Sequence, residues 1–355
     1  MRRIRGARTV LAVLGSVGAL AACGAGAGVQ SASLAAATGR AAGPAPAARS
    51  ASATQPTRVI GNGTPASCTS QAVVAAVAAG GVITFSCGPS PVTILMTATA
   101  RVINTSARVV LDGGGKVTLS GGGVHRILYM DTCDPHQVWT TPHCQDQSRP
   151  RLTVRNLTFL DGNSTGHHFD GGGGGAIFAR GGRLRVVNSR FIGNRCDPTG
   201  PDLGGAAIRA LSEYRGRPVH IIRSTFRGGM CSNGGALSSI GVSWVIRDSR
   251  MIQNRAIGNG ANPAGPGTAG GGSGGAIYTD GDHYTVKIYH SVIRGNLANE
   301  GGGAIFFVSD NLTGRLRIQD STLHDNPSAG FYTAGYPGIF FAGAGHPDII
   351  HSTIN

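Results

Sequence analysis

The sequence reads as an all-β solenoid, a single-stranded parallel β-helix with a short N-terminal capping helix. Three regularities lead to that reading. First, a small-residue tetrapeptide alternates with a strand ending in a large apolar residue, five times between residues 174 and 326. The copies are GGAI (174–177) with FIGN (191–194), GAAI (205–208) with FRGG (226–229), GGAL (234–237) with MIQN (251–254), GGAI (274–277) with IRGN (293–296), and GAI (303–305) with LHDN (323–326). Half-copies flank them, LTVRNLTF at 152–159 and DIIHSTIN at 348–355.

Second, seven strands align on their apolar ends: Phe159, Phe191, Phe226, Met251, Ile293, Leu323 and Ile354. Five positions earlier stand Val154, Val186, Ile221, Ile246, Ile288, Ile318 and Ile349; seven earlier stand Leu152, Leu184, Val219, Trp244, Val286, Leu316 and Pro347. Between those columns lie Thr153, Arg185, His220, Lys287, Arg317 and Asp348, with Val245 the exception. This is the in–out–in alternation of strands. Third, a Ser column precedes the apolar end by two: Ser189, Ser224, Ser249, Ser291, Ser321 and Ser352. Residues that recur at one offset while the joints vary stack on themselves in successive turns. Stacked Ser and Asn can then hydrogen-bond along the ladder. A helical repeat is excluded, because the period is two and glycine runs through every unit.

Composition agrees. Glycine is 58 of 355 residues and charged residues only 14%, a profile for turn-rich β structure rather than an α/β enzyme. The aliphatic columns argue against disorder of the array.

In chain order, residues 1–22 form an export signal. Arg2, Arg3, Arg5 and Arg8 precede an apolar run at 10–20 and small residues before Cys23. The run is too short for a membrane span. Leu-Ala-Ala-Cys resembles the bacterial lipobox, which implies a lipidated Cys23 and anchoring at the extracellular face of the plasma membrane. A freely secreted chain with an incidental Cys23 is the alternative. Residues 23–57 are an Ala/Gly/Ser/Pro spacer without core-forming side chains. Residues 58–100 then hold the N-terminal cap and first strands, and 101–355 the β-helix.

Within the cap, 67–80 (SCTSQAVVAAVAAG) predicts a helix, started at Thr69 or Ser70 and stopped at Gly80. Its place before the array suits a cover for the open core. Short strands follow at 81–87, 92–97, 109–111 and 116–120. Asp112 sits in an Asp-Gly turn, where its carboxylate bonds its own backbone. Residues 131–150 interrupt the array with Cys133, Cys144, Trp139, His136 and His143. The spacing of His136, His143 and Asp134 fits no zinc template.

Six cysteines remain after Cys23, an even number for an oxidising compartment. Cys196 and Cys231 each follow their apolar end by five residues. Neighbouring strands lie about 4.8 Å apart and a disulfide needs Cα atoms roughly 4.4–6.8 Å apart, so these two should pair. Cys133–Cys144 would close a short loop, and Cys68–Cys87 follows by elimination.

The formal charge is +14, almost all from arginine, since Lys116 and Lys287 are the only lysines. Outside a cell such a chain attracts polyanions: wall phosphate polymers, uronic-acid polysaccharide or DNA. Arginine usage in a GC-rich genome would produce the same count. No segment resembles a specific nucleic-acid-binding motif.

The variable joints fall at 164–173, 195–204, 230–233, 255–273 and 297–301. Stacking should bring them to one side, often the binding face of a repeat protein. They carry His167, His168, Asp170, Asp197, Asp202, Asn299 and Glu300 as binding residues, with Asp170, Asp202 and Glu300 as the acids available for catalysis; taken singly, each reads more readily as a solvated turn residue. The 255–273 loop, rich in Gly, Ala, Asn and Pro, reads as mobile. Phe331, Tyr332, Tyr336, Phe340 and Phe341 read as core fill, an end cover or a sugar-stacking platform.

The alternation of GGA[IL] and FxxN segments resembles the repeats of polymorphic outer membrane proteins, which are β-helical adhesins. The chain from 109 to 355 is similar more broadly to exported right-handed β-helix proteins of the pectin-lyase-like fold. The resemblance implies either a surface-anchored adhesin or scaffold that binds polysaccharide, or a polysaccharide lyase or glycoside hydrolase. No cofactor is implied for the first; calcium would serve a lyase. Hydrolysis would need two carboxylates suitably apart. Asp248 and Asp320 share an offset, but Asn188, Arg223 and His290 occupy it in other turns.

Overall fold

Each column of the repeat becomes a row of register partners in a parallel ladder. The computed structural model describes residues 57–355; the export signal, Cys23 and the spacer to residue 56 lie outside the described residues. The described strands form sheets of seventeen, eight and three strands. A typical rung gives one strand to the second sheet, Ile177–Arg180, and then two to the first, Arg183–Val187 and Arg190–Ile192. Cross-rung partners are parallel: Val186 pairs with Val154 and Ile221, Phe191 with Phe159 and Phe226, Ile208 with Ile177 and Leu237.

Corners between strands recur at fixed offsets because each needs a left-handed residue. One corner is made by Asn156, Asn188, Arg223, Asp248, His290, Asp320 and His351, with φ from 44° to 54°. The column mixes acids with amides and bases because backbone conformation, not charge, selects it; Asn and Asp tolerate that region best among non-glycine residues. Another corner is the first glycine of the tetrapeptide, where φ is 67° at Gly174 and 74° at Gly205. A Cβ at Gly205 would collide with the Ile208 carbonyl oxygen, so the motif's glycine is required twice over.

The core is filled by the aliphatic rows. Val154, Val186, Ile221, Ile246, Ile288 and Ile318 are at most 1% exposed and form one continuous register row, with Ile349 half-buried at its end. Phe159, Phe191 and Phe226 stack face to face at 4.9 and 4.6 Å between centroids. Each such pair adds about 0.5–1.5 kcal/mol beyond its buried area.

Polar ladders run through the same interior. The Ser189 N–H donates to Ser224 Oγ at 3.2 Å, and the pattern continues through Ser249, Ser291 and Ser321 to Ser352. Each hydroxyl in turn donates to the carbonyl two residues back, as Ser189 does to Val187. Asn254 Nδ2 donates to Asn296 Oδ1 at 2.9 Å, and Asn296 Nδ2 to Asn326 Oδ1 at 2.8 Å. At Gly229 the amide chain is interrupted, yet its N–H still donates to Asn254 Oδ1. Buried polar groups are tolerable here because every rung supplies the partner of the next.

The helix spans Ser70–Ala79; the Thr69 hydroxyl accepts the Ala72 N–H at 3.2 Å, and Gly80 ends it. Val73 and Val77 are fully buried in the core, so the helix covers the first rung. A strand at Thr57–Ile60 precedes it and pairs with Gly81–Phe85; the spacer reading ran one residue too far, because Thr57 is held by that pairing. The two short strands expected at 109–111 and 116–120 are one, Arg108–Ser120, bulged between Asp112 and Val117. All three expected disulfides form: Cys196–Cys231, Cys133–Cys144 and Cys68–Cys87, with Cα separations of 4.8, 4.9 and 5.7 Å.

Replacing Asn296 by Ala removes the acceptor of the Asn254 N–H and one partner each from the Asn254 amide, the Asn326 amide and the Met251 carbonyl. Urea denaturation should show a loss of about 3 kcal/mol. A loss within error would mean the amide ladder does not stabilise the coil.

Candidate functional site

The variable joints fold back over the outer face of the second sheet. Alternation aims Tyr129, Phe178, Arg209, Ser238, Tyr278 and Phe306 outward, yet none is more than 4% exposed. Tyr278, Phe306 and Phe340 stack at 5.0 Å intervals, with Phe331 edge-on to Phe340. Phe341 stacks on Phe307 and Tyr336 packs on the core, while Tyr332 stays exposed. The terminal aromatics therefore divide between core fill and cover of the outer face.

Most sequence-selected residues bind their own loops to the coil. Asp170 is 2% exposed and ion-paired with Arg126, which also donates to the Gly173 carbonyl. Asp197 is buried and accepts from the Gly166 N–H; His168 Nε2 lies 2.7 Å from the same oxygen. His167 is pushed below its usual pKa, by burial first and then by the Arg126 charge. Glu300 accepts the Gly260 N–H, and the Asn299 amide donates to the carbonyls of Ile257 and Gly258. Asp112 accepts the Gly114 N–H as expected, and also Arg155 and Asn156. Burial opposes its ionisation, but those bonds outweigh it and hold the carboxyl below its usual range. Asp134 is buried between Arg101 and His136.

Asp202 has a different setting. It is exposed at the rim of a cleft of about 740 Å³, lined also by Arg180, Arg209, Leu211, Ile240, Asp280 and Asp310. Arg180, Leu211, Ile240 and Asp280 share one offset in successive strands. The cleft therefore runs along the coil axis across three rung steps, about 14 Å.

Its polar groups converge. Asn262 Nδ2 donates to Asp202 Oδ1 at 2.8 Å and to Asp280 Oδ2 at 3.3 Å. The two carboxylate oxygens are therefore no farther apart than the sum of those distances. The same amide donates to the Tyr278 hydroxyl, which donates to Asp280 at 3.0 Å. Burial raises the Asp280 pKa, with the charges of Asp310 and Asp202 adding to it; the Gly281 N–H and Tyr278 hydroxyl act the other way. Arg209 is wholly buried, which lowers its pKa to about 10. One of its Nη atoms donates to the Asp202 carbonyl, and its Nε has no partner.

Asn262 belongs to the 255–273 loop that reads as mobile. Antiparallel bridges Asn259↔Gly270 and Ala261↔Gly271 join its two arms, and the Asn262 amide ties it to Tyr278 and Asp280 on the sheet. Sequence reasoning missed Asp280, Tyr278, Asn262, Arg180 and Arg209. Extending the tetrapeptide by three residues in alternation (GGAIFAR, GAAIRAL, GGALSSI, GGAIYTD) would have aligned the outward positions that line the cleft. No protein-family description, curated protein or solved structure matches this chain.

Asp280 has a folded pKa above its unfolded one. Its contribution is intact below the unfolded pKa and lost as pH rises through the folded value. Asp280→Asn preserves the shape and should melt higher than wild type at pH 7. The gap should fade as pH falls through about 4, the ordinary carboxylate range; a constant gap across pH would remove the electrostatic cause.

Proposed function

We propose that this protein is an exported, surface-anchored β-helix that binds a polysaccharide in the cleft over its second sheet. The observation that carries the reading is the cleft's direction: it follows the coil axis across successive rungs, so an extended polymer meets equivalent positions in turn. Asp202, Asp280 and Asp310 offer acceptors and Arg180 offers donors, while Leu211 and Ile240 offer apolar floor for sugar C–H faces. Three closed disulfides fit an oxidising compartment. The lipobox-like Cys23 and the adhesin-like repeats support display at a bacterial surface.

A second reading, glycoside hydrolysis, is favoured by one specific arrangement. Asp202 and Asp280 share the Asn262 amide, which suits the closer spacing, roughly 5–5.5 Å, of a retaining pair. Their environments differ: Asp202 is exposed, and Asp280 is largely buried with a raised pKa. The buried member of such a pair, here Asp280, suits the role of proton donor.

The purified protein should retain one member of a panel of neutral polysaccharides, tested with and without calcium. Ile240→Arg, which fills the cleft, should weaken retention about tenfold or more. Equal retention by that variant, or none by wild type, would remove the cleft as the site. Reducing-end release that vanishes in both Asp280→Asn and Asp202→Asn would establish hydrolysis; retention without release leaves the binding reading standing.

A further inference from the structure

The outward face of the first sheet carries a second feature, independent of the cleft just described. Arg108, Arg151 and Arg183 are direct register partners on three consecutive strands. Such neighbours lie about 4.8 Å apart, and like charges directly opposite one another destabilise a sheet. Arg185 lies two residues beyond Arg183, on the same face, and pairs in register with His220. Arg151, Arg183, Arg185, Arg217 and His220 line one groove of about 380 Å³ that no Asp or Glu lines.

Two arginines of this sheet are neutralised, Arg155 by Asp112 and Arg317 by Asp348. Arg190, Arg250 and Arg294 have no ion-pair partner among the described residues, but their register partners are Thr225, Val292 and Ile252 rather than another arginine. Among the described residues, none of Arg151, Arg183, Arg185 and Arg217 has an ion-pair partner. Arg183 is held over the Tyr214 ring at 5.6 Å, and its buried Nε has no acceptor. Glu213, whose charge would oppose that of Arg183, is itself buried with both oxygens unbonded. Burial drives its pKa well above the usual range, against the opposing pull of the Leu184 N–H and the Arg183 charge. The groove thus concentrates arginines that have no ion-pair partner among the described residues and no acid in their lining.

We infer that this groove is a binding site for a linear polyuronate, with Arg151, Arg185 and Arg217 as the carboxylate-binding residues and Arg183 as their fixed neighbour. A guanidinium fork matches a planar carboxylate in two bonds. A polyuronate presents one carboxylate per sugar, and a sugar unit is close in length to one rung. Polyol-phosphate polymers space their charges more widely. Single-stranded nucleic acid needs bare aromatic faces for its bases, and the nearby Tyr214 ring is covered by Arg183 and Arg215.

The test is isothermal titration of the full chain with oligogalacturonate, polyphosphate and duplex DNA, at low and high salt. Arg151→Ser/Arg185→Ser/Arg217→Ser should weaken oligogalacturonate binding at least about tenfold. Arg190→Ser/Arg250→Ser/Arg294→Ser removes the same charge from exposed positions of the same sheet and should change binding less than about twofold. Unchanged melting temperatures would exclude misfolding of either triple; if the first triple misfolds, Arg185→Ser alone with Arg250→Ser as its match replaces the comparison. Ile240→Arg should bind oligogalacturonate like wild type, which separates this site from the cleft. Equal losses from the two triples, no oligogalacturonate binding, or tighter binding of polyphosphate or DNA would each overturn the assignment.

Discussion

Vertical superposition of like residues is the constraint on which this structure depends. A parallel ladder places position n of one rung directly beside position n of the next, so every side chain must tolerate a copy of itself as neighbour. Aliphatic and aromatic residues satisfy that rule by packing, as the row from Val154 to Ile318 does. Ser and Asn satisfy it by donating in one direction and accepting in the other. Arginine cannot satisfy it alone, since an identical neighbour only repels it. The rule is strained where Lys287 meets Arg317, which Asp348 neutralises, and in the Arg108–Arg151–Arg183 row, where no acid among the described residues pairs and an external anion would.

The same constraint explains the division of labour around the coil. Interior and corner positions are dictated by stacking and by φ, so they repeat. The joints between the first and second sheets are free to vary, and they vary in length as well as composition. Folding back over the outer face, they bury Arg209, Tyr278 and Phe306 and leave a channel between themselves. Asp170 and Asp197 fasten the loops, whereas Asp202 reaches the channel's rim. Acids with similar sequence settings thus have unlike roles, decided by which loop atoms lie opposite them.

The cleft also shows a cost that the core avoids. Asp280 carries a raised pKa and Arg209 a lowered one because both are withdrawn from water. Neither is needed to stack a rung: Ile240 and Ala342 occupy the Asp280 offset elsewhere in the same sheet. Both still hold loop to sheet, Arg209 through Ser238 and the Asp202 carbonyl and Asp280 through Tyr278 and Asn262; shifted ionisation of this kind is found in structural networks as well as in sites.

Much of the coil was legible in the chain alone. Fixed offsets identified the seven-strand register, the buried rows, the Ser and Asn ladders and the Cys196–Cys231 disulfide, because stacking is a local rule repeated and repetition can be read off one dimension; the helix was legible from its cap and stop residues, and the other two disulfides from loop closure and elimination. The functional surface was not legible in the same way. Asp280, Asn262 and Asp202 come from three separate rungs and loops, and only the folding of the 255–273 loop over the second sheet brings one amide to two carboxylates. Neither a loop's path nor the water it excludes is encoded by periodicity, so the cleft and its shifted pKa values belong to the assembled coil alone.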